Sequence, residues 1–234
     1  MKPVRDLMRL RRFYGAVASD QNRWILRWTT GKKVLELGCG YGTFVQEART
    51  EGKEAFGVDI DFPTLKAGLS AYPQVRGDLI QGDMGCLPFK GNSFHTVVLR
   101  ESLHHVAWVK ILPEILRICK KEILIFEPNP NGFLRLSRKI ISHQDQEVLL
   151  DPLLTYLRGH GVVVQGIRYR DLIAFPLSGG FVGWELVPRI KALFSFLLWT
   201  DRIVHALFCF LRIERAVSWR YLVRGVKKES KEER

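Results

Sequence analysis

From Val34 to Phe126 the chain repeats a short apolar run followed by a helical stretch, and this rhythm restricts the fold more than any single residue does. The runs are Val34–Leu37, Ala55–Val58, a weaker one at Leu79–Ile80, Thr96–Leu99 and Ile123–Phe126. Helical stretches lie at Thr43–Thr50, near Pro63–Ala71 and through Val106–Ile118. Strands buried on both faces read as such near-continuous runs. The alternation therefore predicts an α/β fold, a parallel sheet covered by helices on each side. With 234 residues, 47% of them hydrophobic, the chain can bury one well-packed domain with an appended element.

The flanks depart from the rhythm. A helix over residues 4–29, with Trp24, Ile25 and Trp28 on its buried face, makes residues 1–30 an N-terminal helical cap. The α/β domain occupies 31–170 and ends with a helix near Glu147–Arg158 and a strand at Val162–Tyr169. Residues 171–213 form an apolar insertion, and 214–226 hold a final strand that begins at Val217. The charged tail 227–234, "KKESKEER", reads as disordered. Within the insertion Leu193, Phe194, Phe196, Leu197, Leu198, Trp199, Ile203, Val204, Leu207, Phe208, Phe210 and Leu211 exceed one helical face. A lid over a greasy substrate, a dimer contact, a membrane-interface element and plain core packing all stay open. Ser178–Gly180 is either a hinge for a lid or a simple loop.

The formal charge of +12 sits at the ends. Residues 1–33 hold nine Lys/Arg against two acids and 212–234 hold eight against four, whereas 34–211 hold nineteen against eighteen. Such ends either attract phosphate, from nucleic acid or anionic lipid, or form a solvated surface. Cys39, Cys86, Cys119 and Cys209 show neither CxxC pairing nor a His at zinc spacing, so a reduced, cytoplasmic protein without a metal site is expected. No apolar run follows the basic start, so no signal peptide is expected. No uncharged run reaches the ~18 residues of a membrane span. The nearest, Ala192–Thr200, is stopped by Asp201 and Arg202.

The first apolar run leads into "VLELGCGYGTF", Val34–Phe44. Its glycines therefore lie beyond the carboxyl end of the first strand, where an open α/β sheet holds its ligand. Glycine there allows positive φ and close approach to the backbone. A dinucleotide pattern GxGxxG would need a third glycine where Thr43 stands. Glu36 also repels a pyrophosphate, whereas it suits an ammonium group. Asp59, after the second run, can accept both hydroxyls of a ribose. Asp83, after the third, can accept from an adenine amino group, with Met84 against the ring. An amino-acid end, a ribose, an adenine and no phosphate together describe S-adenosylmethionine.

Five segments, "VLELGCGYGTF", "GVDID", "GDMGCLPF", "FHTVVLRESLHHV" and "ILIFEPNP", resemble in order and interval the class I S-adenosylmethionine-dependent methyltransferases, in the group that includes small-molecule and quinone enzymes. The resemblance covers about residues 30 to 130. It implies a doubly wound, seven-stranded, mostly parallel sheet whose last strand, here "VSWRYLVRGV", is antiparallel. It implies cofactor contacts at Glu36, Gly38, Cys39, Gly40, Asp59, Ile60, Asp83, Met84 and Arg100, with Glu101 and Ser102 beside them at the fourth-strand exit. The Cys39 side chain reads as a small filler, and Asp61 as a cap for the helix near Pro63.

Methyl transfer from a sulfonium is an in-line displacement that depends on positioning. A base is needed only where the nucleophile carries a proton, and Glu101, His104 and His105 are the candidates. For either histidine the alternative is packing or capping the next helix. Glu127 either holds a polar group of the substrate or stabilises its loop. "RESLHH" stands where enzymes acting on planar amide or base nitrogens carry an Asn/Asp-Pro-Pro-aromatic segment, which argues against such acceptors. The apolar insertion favours a small, hydrophobic or lipid-like acceptor, with peripheral association to an anionic membrane and a dimer as further possibilities. The competing reading is an RNA methyltransferase whose basic termini contact phosphates. The apolar insertion and the lack of a recognisable RNA-binding module make nucleic acid the weaker partner.

Overall fold

The computed structural model describes residues 10, 12–130, 147–180, 186–188 and 190–228. Strands β1 (Lys33–Leu37), β2 (Glu54–Asp59), β3 (Leu79–Gln81), β4 (Phe94–Arg100), β5 (Cys119–Pro128), β6 (Val162–Arg170) and β7 (Arg220–Lys227) form one seven-stranded sheet, in the order β3-β2-β1-β4-β5-β7-β6. The pairs from β3 to β5 are parallel, and β7 runs antiparallel between β5 and β6. This is the doubly wound sheet with an antiparallel last strand that was expected. The final strand starts at Arg220 rather than Val217, because Glu214–Val217 closes into a short helix first.

The absence of polar alternation in the central runs has a direct cause. Leu35, Leu37, Val97, Leu99, Ile123 and Ile125 point to one face of the sheet, against Leu112 and Ile115 of α4 (Trp108–Ile118) and Leu153 and Leu157 of α5 (Leu150–Gly159). Val34, Val98, Leu124 and Phe126 point to the other. There they meet Ile25 of α1 (Phe13–Leu26), Phe44 and Val45 of α2 (Thr43–Thr50) and Leu65 of α3 (Phe62–Ala71). Each run is thus apolar at odd and even positions alike, because both faces are covered. Glu36 shares the parity of Val34 and is fully buried on the α1–α2 side.

Between β1 and β4 the winding reverses, since β2 and β3 lie to one side of β1 and β4 and β5 to the other. The crevice at the carboxyl ends of these strands is where a sheet of this kind holds its ligand. Of the helix expected over residues 4–29, the described part runs Phe13–Leu26, and residues 1–9 lie outside the described residues. Trp24 packs edge-on to Phe126, with ring centroids 6.2 Å apart.

The 171–213 insertion contains α6 (Ala174–Leu177) and α7 (Lys191–Phe210), and α8 is Glu214–Val217. Asp201 and Arg202 interrupt the uncharged run in sequence, while α7 continues unbroken through both, as the helical pattern to Leu211 implies. Asp201 is 5% exposed, and its Oδ1 accepts backbone N–H groups from Leu172, Ile173 and Ala174 at 3.1, 2.5 and 2.9 Å. Arg202 and Arg170 both pair with Asp20 of α1. The charges therefore serve to fasten the helix. By length and composition α7 is one helix that could cross a membrane. Ser178–Gly180 is a packed turn: the Ser178 hydroxyl donates to the Phe175 carbonyl at 2.6 Å, and a Cβ on Gly180 would meet the Phe175 ring at 2.0 Å. Lys227, expected in the tail, belongs to β7 and donates to the carbonyls of Leu116 and Cys119. Residues 229–234 lie outside the described residues.

Candidate active site

The glycine loop leaves β1 with Gly38 at φ +73° and Gly40 at φ +53°. The Gly38 and Cys39 N–H groups both donate to the Val58 carbonyl, at 2.8 and 3.1 Å, which ties the loop to β2. A Cβ on Gly38 would lie 2.5 Å from Cβ of Ser102, so the backbone of the β1 exit passes directly against the β4 exit. A Cβ on Gly40 would meet only Thr64 Cγ2, at 3.9 Å, and Gly40 donates its N–H to Asp59 Oδ2 at 2.7 Å. Asp59 Oδ1 accepts the Asp61 N–H at 2.9 Å. A cleft of about 290 Å³ opens here, lined by Leu10, Tyr14, Ala18, Gly38, Cys39, Gly40, Tyr41, Thr43, Arg100 and Glu101.

Charge in the cleft is paired in ways the linear order did not reveal. Arg100 Nε donates to Glu36 Oε1 at 3.0 Å, and its Nη2 lies 3.5 Å from the Thr43 hydroxyl. Glu36 Oε2 is buried without a hydrogen-bond partner among the described residues. Burial raises the Glu36 carboxyl to about 7, against the opposing pull of the Arg100 guanidinium. Cys39 points away from the cleft: its Sγ would be 2.7 Å from a Cβ on Gly57. Burial, reinforced by Glu36, pushes its thiol well above the ordinary value, so it stays a neutral filler.

The β4 exit carries the rest. Glu101 sits at φ +55° and pairs with Arg220, whose Nη2 donates to its Oε2 at 2.9 Å. Burial would raise the Glu101 carboxyl, yet Arg220 holds it below the usual range, as a carboxylate. The Ser102 hydroxyl is buried without a partner among the described residues. Glu127, fully buried at the end of β5, accepts the N–H groups of Ser102 and Leu103 at 2.9 and 2.8 Å through Oε1. Its Oε2 lies 2.6 Å from His104 Nδ1. His105 is exposed, with its ring centroid 4.0 Å from that of His104.

The structure thus brings Gly38, Cys39, Gly40, Arg100 and Glu101 into one cleft, with Glu36 behind Arg100 and Asp59 bonded to the loop. Ile60, Asp83 and Met84 stand outside that lining, around the tips of β2 and β3. Ile60 is 67% exposed, and Asp83 Oδ1 accepts the Gly85 N–H at 2.8 Å. The Met84 methyl would be 3.7 Å from a Cβ on Gly38. Asp61 occupies the N-terminal position of α3 as expected, but its carboxylate accepts from the Thr64 hydroxyl rather than from a backbone N–H. Sequence reasoning missed Tyr14, Thr43 and above all Arg220. The one signal for Arg220 is a basic residue at the head of the last strand, which also carries Arg224 and Lys227.

Residues 35–126 match the family model described as a methyltransferase domain. A demethylmenaquinone methyltransferase of Renibacterium salmoninarum is 34% identical over 91 residues, 38% of this chain and 38% of its own length. An 18S rRNA (guanine-N(7))-methyltransferase of Schizosaccharomyces pombe is 31% identical over 77 residues, 32% of this chain and 27% of its own. The matched stretch is therefore well under half of either curated relative. The crystal structure of a SAM-dependent methyltransferase from Archaeoglobus fulgidus superposes with a TM-score of 0.62 at 19% identity, covering 91% of this chain and 94% of that one, and shares the fold. The glycine loop, the strand order and the family match agree: residues 35–126 match a methyltransferase domain, and the sheet that holds them has the fold of the class I S-adenosylmethionine-dependent methyltransferases.

Proposed function

We propose that this protein transfers a methyl group from S-adenosylmethionine to a small hydrophobic or lipid-like acceptor. The observation that carries the reading is the bare Gly38–Gly40 backbone at the switch of strand order, with two buried oxygens, Glu36 Oε2 and Ser102 Oγ, that have no hydrogen-bond partner among the described residues. Gly40, where a Cβ would meet only Thr64 Cγ2 at 3.9 Å, leaves the backbone open to a ligand lying on it. Carboxylates at Glu36, Asp59 and Glu101, set against the guanidiniums of Arg100 and Arg220, suit a cationic ligand better than a pyrophosphate. When bound, S-adenosylmethionine supplies an electrophilic methyl on a sulfonium.

The chain's own residues would do the following. Glu36 Oε2 accepts from the ligand's ammonium, while Arg100 steadies the other oxygen. Asp59 keeps a further lone pair on each oxygen for the ribose hydroxyls. Asp83 accepts from the adenine amino group, with Met84 and the exposed Ile60 packing on the ring. His104 donates through Nδ1 to Glu127, which makes Nε2 the proton-accepting nitrogen of the ring. His104 then takes the proton of an acceptor hydroxyl or acidic C–H, with the His105 ring tilted beside it. Glu101 is committed to Arg220 and supports the turn rather than moving a proton.

The apolar α7 favours an oily acceptor over a polynucleotide, and a peripheral position on the cytoplasmic face of an anionic membrane follows from the same helix and the basic ends. Incubation with methyl-labelled cofactor and total cell extract tests the reading. Label is expected in the lipid-soluble fraction. Label in RNA would transfer the assignment to an RNA methyltransferase, and failure to bind S-adenosylhomocysteine would reject both.

A further inference from the structure

We infer that α7 lies flat on an anionic membrane surface, with Phe196, Trp199, Ile203, Leu207 and Phe210 in the boundary between headgroups and acyl chains. These five side chains are 56, 58, 48, 52 and 83% exposed. Their spacing of three and four residues places them on one helical face. The intervening positions on that side, Ala192, Thr200 and Ala206, carry no charge.

The charges around the stripe select the partner. Between residues 190 and 213 the ionisable side chains of fixed charge are Lys191, Asp201, Arg202 and Arg212. Asp201 is buried; the three exposed ones, Lys191, Arg202 and Arg212, are all cationic, and of these Arg202 is paired with Asp20. An apolar stripe whose exposed fixed charges, within residues 190–213, are basic matches a bilayer carrying anionic lipid, where each cation near the surface adds attraction and long basic side chains reach back to the headgroups. A second copy docking on the same face would bring Lys191, Arg202 and Arg212 against their own kind, with no exposed carboxylate of the helix to receive them. Crossing the membrane is opposed by Asp201. Its three backbone N–H bonds hold the opposite side of α7 to residues 172–174.

The position of the helix connects the surface to the reaction. Phe194 and Leu197 of α7 pack on Phe13 and Val17 of α1, and the Phe13 and Phe194 rings are 5.0 Å apart. The neighbouring Tyr14 and Ala18 of α1 line the cleft. A single helix therefore separates the membrane-facing stripe from the cofactor loop, which suits an acceptor drawn from the bilayer. In this respect the inference rests on the hydrophobic-acceptor reading above.

Flotation of the purified full chain with vesicles tests it, without cofactor or turnover. The protein is expected to float with phosphatidylcholine vesicles containing phosphatidylglycerol, and at least about tenfold less with phosphatidylcholine alone. Phe196→Ser with Trp199→Ser should lower partitioning by about tenfold or more. Lys191→Glu with Arg212→Glu should remove the preference for anionic vesicles. Both double variants should bind S-adenosylhomocysteine as the wild type does, which verifies their folding. Wild-type protein that floats with neither vesicle, or a serine variant that floats like the wild type, overturns the inference. So does a solution dimer abolished by the serine pair in the absence of flotation. Lost flotation with intact S-adenosylhomocysteine binding rejects the membrane surface alone. Intact flotation without such binding rejects the methyl-transfer reading alone.

Discussion

Gly38→Ala asks whether the glycine loop is a built cradle or a turn that tolerates side chains. Gly38 has φ +73°, and an added Cβ would stand 2.5 Å from Cβ of Ser102 and 3.3 Å from its Oγ. Carbon atoms in good contact stand about 3.5–4.0 Å apart, so one side must give way by about 1 Å. Ser102 cannot easily do so, because Glu127 holds its N–H at 2.9 Å and that of Leu103 at 2.8 Å. Left-handed backbone costs a residue with a Cβ about 1–2 kcal/mol, and forcing an extra carbon into a packed site costs about 1–3 kcal/mol. The substitution should destabilise the fold by about 2–5 kcal/mol in urea denaturation. Calorimetric titration with S-adenosylhomocysteine should show affinity reduced by about tenfold or more, since any relief displaces the loop. Adding Ser102→Gly removes the steric part and leaves the dihedral part, so about 1–3 kcal/mol should return. A Gly38→Ala protein within about 0.5 kcal/mol of wild type and with unchanged affinity refutes the cradle. A double variant that recovers nothing refutes Ser102 as its wall.

Three further outcomes are expected. Asp59→Ala should weaken S-adenosylhomocysteine binding by about 1.5–3 kcal/mol, the range for charge-assisted hydrogen bonds, and an unchanged calorimetric affinity would reject the ribose assignment. Glu36 titrates at about 7 in the folded protein against an ordinary 4.5, because burial disfavours its charge. A ligand ammonium needs the carboxylate form, so affinity should climb as pH rises toward about 7 and level off above it, whereas Glu36→Gln should give a flat profile. The stability linked to this group has the opposite sign: it is fully present below pH 4.5 and is lost as pH rises through about 7. Asp201→Ala strands three backbone donors under α7 and should cost about 3 kcal/mol in urea denaturation; a loss under about 1 kcal/mol would mean that apolar packing alone holds the helix.

What could be read from the linear chain is what depends on near neighbours. Val34–Leu37, Ala55–Val58, Thr96–Leu99 and Ile123–Phe126 announce strands because both of their faces are covered, whereas the weaker run at Leu79–Ile80 is a half-buried edge strand. The glycines announce a loop at a strand exit because positive φ is a property of a single residue. Even here local reading had limits. The final strand begins three residues late, since nothing in "VSWR" distinguishes a last helical turn from a first strand residue. Asp201 and Arg202 read only as the end of an uncharged run, because the partners that bury Asp201, the backbone of residues 172–174, lie far from it in the chain.

The sequence by itself determined a parallel-type sheet, its glycine loop and the acids at successive strand tips, because these follow from backbone preference and from burial within a few residues. Only the tertiary structure decided how the charges are spent. Arg100 meets Glu36 across 64 residues, Arg220 meets Glu101 across 119, and His104 meets Glu127 across 23. Sheet register and helix packing create each of these pairs, and the strength of a buried charge depends on the partner that packing supplies.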